Sequence, residues 1–240
     1  MRFMLIGLLV IAFFEASRAQ SRPTLDDSIG TFRVPNSMPP CGLRTAVSRL
    51  ARQAKILVGF ERTPACISSF PRLDVGENAT NLAGMTARQA LDHLMALAPT
   101  YRWKEMNGIA VVRPAAAWND PADALNLRTA AFTVENQALG EALRIMLHTM
   151  LDRPIQSPLG PDSDKLIGRP VSVTFRGGTM LDALDALVRA HQEAGWDVGL
   201  LIHTRASGDD PAPTVTIFLR TFDTSTMATG TPLPLLQAHK

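Results

Sequence analysis

The 240-residue sequence is short of most features that announce a chemistry. Beyond residue 14 no apolar run is long enough to span a bilayer, so no transmembrane helix is expected in the body of the chain. Basic and acidic side chains nearly balance, 24 Lys and Arg against 22 Asp and Glu, which removes any global case for nucleic acid as a partner. There are two cysteines and no Cys-x-x-Cys spacing, so a thiol redox centre is not expected. The five histidines, His93, His148, His191, His203 and His239, offer no i, i+4 pair on one helix and no carboxylate spacing for a metal. A G-x-S-x-G nucleophile turn and a phosphate loop are also missing. Neither a metal nor a cofactor is expected.

What is present begins with a leader. Met1 and Arg2 precede an apolar run over residues 3–14, and Ser17 and Ala19 occupy the small-residue positions of a cleavage site. Twelve apolar residues make a helix of about 18 Å, short of the ~30 Å hydrocarbon core. Residues 1–19 therefore read as a secretory signal peptide; the rival reading, kept open by Arg18, is an uncleaved inner-membrane anchor. Export to an oxidising compartment makes a bond between Cys41 and Cys66 the expected state. The loop so closed, of about 25 residues, contributes on the order of 3 kcal/mol in the chain-entropy model.

The body of the chain says one thing twice. Residues 84–97 read GMTARQALDHLMAL and residues 177–190 read GGTMLDALDALVRA, both following G-x-T-x-x-x-A-L-D-x-L. In each, glycine ends a strand, threonine caps a helix, and Ala, Leu and a later Leu face a core, with the aspartate pointing outward. The surroundings repeat as well. Phe32, Val34 and Asn36 are echoed by Phe132, Val134 and Asn136. The stripe Leu43, Ala46, Val47, Leu50, Ala51 and Ala54 is echoed by Leu139, Ala142, Leu143, Met146, Leu147 and Met150, both at helical spacing. Strands are expected over 31–34, 55–60, near 79–83, and over 171–175. Closing pairs are expected over 101–105 with 109–113, around the turn Asn107-Gly108, and over 196–204 with 214–220. Each unit thus runs β-α-β-β-α-β-β, and the expected class is α+β: two tandem small domains, each a short mixed sheet packed by two helices. The first covers residues 29–114 and the second 128–221. Residues 115–127 lack a period and, with Pro114 just before them, carry two prolines, and read as a linker. Residues 153–164, with three prolines, read as a loop or edge segment, and 222–240 as a flexible tail.

The order F-x-V-x-N, amphipathic helix, G-x-T-x-x-x-A-L-D-x-L and final hairpin resembles the short N-terminal domain shared by secretins and TonB-dependent receptors. The likeness covers residues 29–114, and a more divergent second copy over 128–221 is similar also to the ring-forming N-domains of secretins. It implies a periplasmic fold that binds other proteins, with Leu43, Ala46, Leu50, Ala90, Leu91 and Leu94 as core. It also leaves a homo-oligomer open. Such domains normally precede a barrel or ring domain, whereas here the 222–240 segment follows, so channel or receptor activity is not expected.

Candidate sites are few. Arg44, Arg49, Arg52 and Lys55, with Arg62 beyond, lie on the outer face of the first helix, either a solubilising face or a docking surface for an acidic partner. A hairpin ending at Arg113 could accept a strand from another protein. Asp182 and Asp185 mimic a carboxylate pair but read as a solvated face balanced by Arg189. Gly177-Gly178 reads as a strand-to-helix turn in preference to an anion site, and His93 and His148 read as solvated flanks. The function expected is a non-enzymatic periplasmic interaction module, an adaptor or accessory component of a secretin- or TonB-linked envelope system. The alternative is a binder or hydrolase of a small or cell-wall ligand that uses the cleft between the units.

Overall fold

The computed structural model describes residues 24–66, 73, 76, 79–150, 170–191, 194–201 and 214–221. The leader, the proline-rich 153–164 segment and the 222–240 tail lie outside the described residues, as do His203 and His239.

In the first half, the apolar stripe at helical spacing becomes α1 (Leu43–Ala54), which buries Leu43, Ala46, Val47, Leu50 and Ala51. Lys55 ends it in a left-handed conformation, φ 54°, its N–H donating to the Ala51 carbonyl. Leaving the helix this way uses up Lys55, so the next strand, β2 (Leu57–Arg62), starts and ends two residues later than the 55–60 expected from the apolar run. The threonine-capped motif forms α2 (Ala87–Leu97) with Ala87, Ala90, Leu91 and Leu94 buried. Short strands β1 (Arg33–Val34) and β3 (Thr80–Asn81) pair antiparallel over these helices. A hairpin of β4 (Tyr101–Met106) and β5 (Ile109–Pro114) closes the half. Its turn has Asn107 at φ 53° and Gly108 at φ 81°, the positive values a two-residue hairpin requires.

The second half repeats the order. A two-residue strand, β6 (Arg128–Thr129), is followed by β7 (Phe132–Gln137), α3 (Leu139–His148), β8 (Val171–Phe175), β9 (Gly178–Thr179) and α4 (Met180–His191). The chain then enters the hairpin β10 (Ala194–Leu201) and β11 (Thr214–Thr221). β7 pairs with β8 as β1 pairs with β3. The duplication extends to single hydrogen bonds: the Ala87 N–H donates to the Asp27 carbonyl at 3.3 Å, and the Met180 N–H to the Leu127 carbonyl at 2.8 Å.

The α+β class stands, with one revision to the expectation of a separate sheet in each unit. The two halves contribute to a single five-stranded sheet of order β11-β10-β2-β5-β4. β2 is its middle strand, parallel to β5 on one side and to β10 on the other, with Gly59 opposite Trp196 and Val58 opposite Ala110. Because side chains alternate across a strand, the shared sheet serves two cores. Ile56, Val58, Phe60, Ala110 and Val112 pack with α1 and α2, while Leu57, Ile109 and Val111 pack with α3 and α4. The layers therefore run small sheet, helix pair, central sheet, helix pair, small sheet. Pulling the halves apart would expose Leu57, Ile109 and Val111, each at 4% exposure or less and each worth about 2 kcal/mol when fully buried.

The expected linker is also revised. Residues 115–127 hold two short 3-10 turns, Ala117–Asn119 and Ala124–Asn126, and the Asp123 carboxylate caps the second by accepting the Leu125 N–H. Leu125 is fully buried in the second core, as Leu25 is buried in the first. The segment is part of the second unit, a role concealed by its mix of alanines and polar residues without a period.

Candidate functional site

Among the described residues, four places combine charge, aromatic surface or open backbone.

The first is a buried ionic knot. Arg113 of β5 is fully buried, a location almost never tolerated for a guanidinium without full pairing. Its Nε donates to Glu61 Oε2 at 2.6 Å, Nη1 to Asn126 Oδ1 at 3.0 Å, and Nη2 to Asp123 Oδ1 at 2.6 Å and to the Ala117 carbonyl at 3.2 Å. The guanidinium carbon also lies 5.1 Å from the centroid of Trp118. Two carboxylates thus share one cation. Burial, and then the Asp123 charge beside it, push Glu61 up to about 7 against the pull of Arg113. The knot ties β2 and β5 to the 115–127 segment. It places Arg113 in the sheet interior; of the hairpin expected to accept a strand, it is β4, and not the strand that ends at Arg113, that lies at an edge of the sheet.

The second place is a cleft of about 290 Å³ beside the Cys41–Cys66 disulfide, the bond expected from the cysteine pair. Apolar side chains such as Phe60, Leu43 and Leu97 line it, together with Arg44, Arg62 and Tyr101. The Tyr101 hydroxyl accepts the Thr63 N–H at 3.1 Å.

The third is a shallow groove of about 460 Å³ on the opposite flank of α1, lined by Phe32, Arg33, Arg49, Arg52 and Gln53. Arg49 reaches the Leu73 carbonyl at 3.5 Å and Arg33 the Gly76 carbonyl at 3.4 Å, while Gln53 donates to the Thr31 carbonyl at 2.7 Å. The basic residues of the first helix therefore divide. Arg49 and Arg52 share the groove, Arg44 turns to the disulfide cleft, and Lys55 stands exposed at the helix end. Arg62, expected to extend that outer face, is instead a buried residue of β2, 2% exposed. Arg33 joins the groove from β1, which the helical spacing alone could not reveal.

The fourth is the β4 edge of the central sheet, where Arg102, Lys104 and Glu105 are exposed and Trp103 half-buried. The Trp103 indole N–H donates to Asp92 Oδ1 at 2.7 Å, and Arg88 pairs with Glu105 at 2.7 Å and Asp26 at 2.8 Å.

The aspartate pair of the second motif does not form the solvated face expected of it. Asp182 belongs to the helix cap: its Oδ2 accepts from the Thr179 N–H at 2.9 Å and the Thr179 hydroxyl at 2.8 Å, while Thr179 Oγ1 accepts the Asp182 N–H at 3.2 Å. Asp185 is fully buried, and the Arg189 guanidinium reaches its backbone carbonyl at 3.3 Å. His191 on the same helix is buried too; His93 is half-buried, and only His148 keeps the exposure expected of it. Gly177 and Gly178, at φ 97° and 159°, form the strand-to-helix turn read from the sequence. Among the described residues, no group of three or more His, Cys, Asp or Glu side chains is placed to hold a metal ion, and no helix is long and apolar enough to cross a membrane. In comparisons with known proteins the chain matches no family model, no curated protein and no solved structure.

Proposed function

We propose that this chain is a non-enzymatic protein-binding module of the periplasm, acting as an adaptor or accessory component of a secretin- or TonB-linked envelope system. The observation that carries the reading is the basic groove between β1 and α1. Arg33, Arg49 and Arg52 line it together with Phe32 and Gln53, with no carboxylate among the lining residues. Such a surface suits an acidic partner, and its field accelerates the encounter more than it deepens the affinity. The disulfide is compatible with export. The reading also fits the duplicated architecture, in which the charged residues of the interior serve to lock elements together. A small ligand held between the halves is less well supported, because their seam is strand pairing and packed side chains.

A photo-crosslinking residue at position 52, expressed in intact cells, tests the proposal. One discrete adduct is expected, lost on Arg49→Glu and not formed from the exposed Glu135 position of the second half. A diffuse set of adducts, the same from both positions, would count against it.

A further inference from the structure

The geometry points to the outer edge of β4 as a docking strip for an extended, acidic segment of a partner protein, an inference that rests on the proposed binding function and names the chemistry of one partner. Among the described residues, β4 is a terminal strand of the central sheet. Its hairpin closes with Met106 opposite Ile109, followed by Lys104 opposite Val111 and Arg102 opposite Arg113. In a two-residue hairpin the closing pair exchanges both backbone hydrogen bonds, and such pairs recur at every second residue. Met106, Lys104 and Arg102 therefore spend their backbone groups on β5, and the Ala115 N–H donating to the Thr100 carbonyl continues the series. The N–H and C=O groups of Trp103 and Glu105 point outward, away from β5. An incoming strand would bond to these two residues.

The side chains say what that strand carries. On the α2 side, charge is already settled: Arg88 holds Asp26 and Glu105, and Asp92 holds the Trp103 indole. On the other side, Arg102 and Lys104 are exposed and form no ion pair among the described residues; Lys104 rests its ammonium 4.3 Å from the Trp118 ring centroid. An added strand would place residues opposite Arg102 and Lys104 at the closer, non-hydrogen-bonded positions, where charge matching counts most. The complement is acid, apolar residue, acid, with the apolar residue opposite Trp103.

The same pattern rejects a second copy of this chain. Antiparallel pairing of β4 with itself through Trp103 and Glu105 allows three registers. They place Lys104 against Lys104, Arg102 against Lys104, or Glu105 against Glu105. Like charges directly opposite are destabilising in each. Cations on an edge strand are a known guard against aggregation, and here the guard also selects.

The test is titration of the full chain with a blocked peptide of alternating glutamate and valine, read by backbone amide exchange. Saturable binding is expected, with slowed exchange at Trp103 and Glu105. Affinity should fall about tenfold on Arg102→Glu, further with Lys104→Glu, and on N-methylation of the peptide groups that would face β4. Circular dichroism confirms the fold of each variant, and Arg102→Glu, which disturbs no contact with Trp118, is decisive if the double variant does not fold. Equal binding of a lysine–valine peptide, protection elsewhere, indifference to N-methylation, or a dimer joined through β4 would each overturn the inference. Loss of the strip with the position-52 adduct intact would leave the proposed function standing; the converse would sink that function alone.

Discussion

Asp92 and Asp185 occupy the same place in the repeated motif, five residues after the alanine or methionine that opens each helix, yet they live in opposite surroundings. Asp92 is exposed and accepts the Trp103 indole N–H; Asp185 lies fully within the second core. The capping residues differ in degree. Thr86 and Gln89 form a reciprocal capping box, with the Gln89 N–H donating to Thr86 Oγ1 at 3.2 Å and Thr86 N–H to Gln89 Oε1 at 2.9 Å. Thr179 and Asp182 repeat it with a carboxylate at the positive end of the helix. The first half also owns a disulfide, while its Arg113 is knotted to Asp123 and Asn126 of the segment that belongs to the second unit. Duplication has kept the backbone logic of caps and stripes while letting the polar positions drift to serve each half separately.

The comparison can be tested from its largest expected difference downward. Arg113→Ala leaves the buried Glu61 facing the half-buried Asp123 without their shared cation, and should lower stability by about 4 kcal/mol in urea unfolding. The same knot has a pH signature. Folding raises the Glu61 pKa from 4.5 to about 7, so the folded state binds the extra proton between those values. Stability is then fully present below about 4.5 and declines as pH rises through 7, a slope that Glu61→Gln should flatten. Replacing Cys41 and Cys66 together by serine should cost on the order of 3 kcal/mol from the reopened loop, a staple the second half lacks. Asp185→Ala should cost about 2 kcal/mol through the buried groups it leaves behind, several times the effect of Asp92→Ala at the surface. Smallest of all, Asp182→Ala should cost about 1 kcal/mol and Gln89→Ala less, since only the carboxylate meets both the helix end and a hydroxyl. Equal losses at each matched pair would mean that the halves are true copies after all.

Much of the fold was legible. The helical stripes of α1 and α3, the threonine caps, the Asn-Gly hairpin and the cysteine pair are local signals with local causes. The shared sheet was not, although β2 carried a hint: every residue from Leu57 to Arg62 is buried, which requires cover on both faces. What provides the second cover, α3 and α4, belongs to the other half of the chain, beyond any periodicity. Glu61 and Arg62 hid the end of that strand, because charged residues end an apolar run and the buried partner of Glu61, Arg113, lies on another strand. The basic helix face was legible as a group of cations, but its division between the disulfide cleft and the groove depends on Arg33 and Phe32 from another element. Asp185 shows the limit most plainly, since its motif is letter for letter that of Asp92 and only the distant packing separates them.

The placement of β2 has a consequence for how the chain reaches its native state. Its register with β10, Gly59 beside Trp196, links residues made early to residues made late. Until the final hairpin arrives, the first half holds β2 with one side unzipped, an intermediate prone to pair with other chains. Assembly must therefore wait for the last quarter of the polypeptide, and truncation before residue 194 should leave a protein that associates with itself before it associates with anything else.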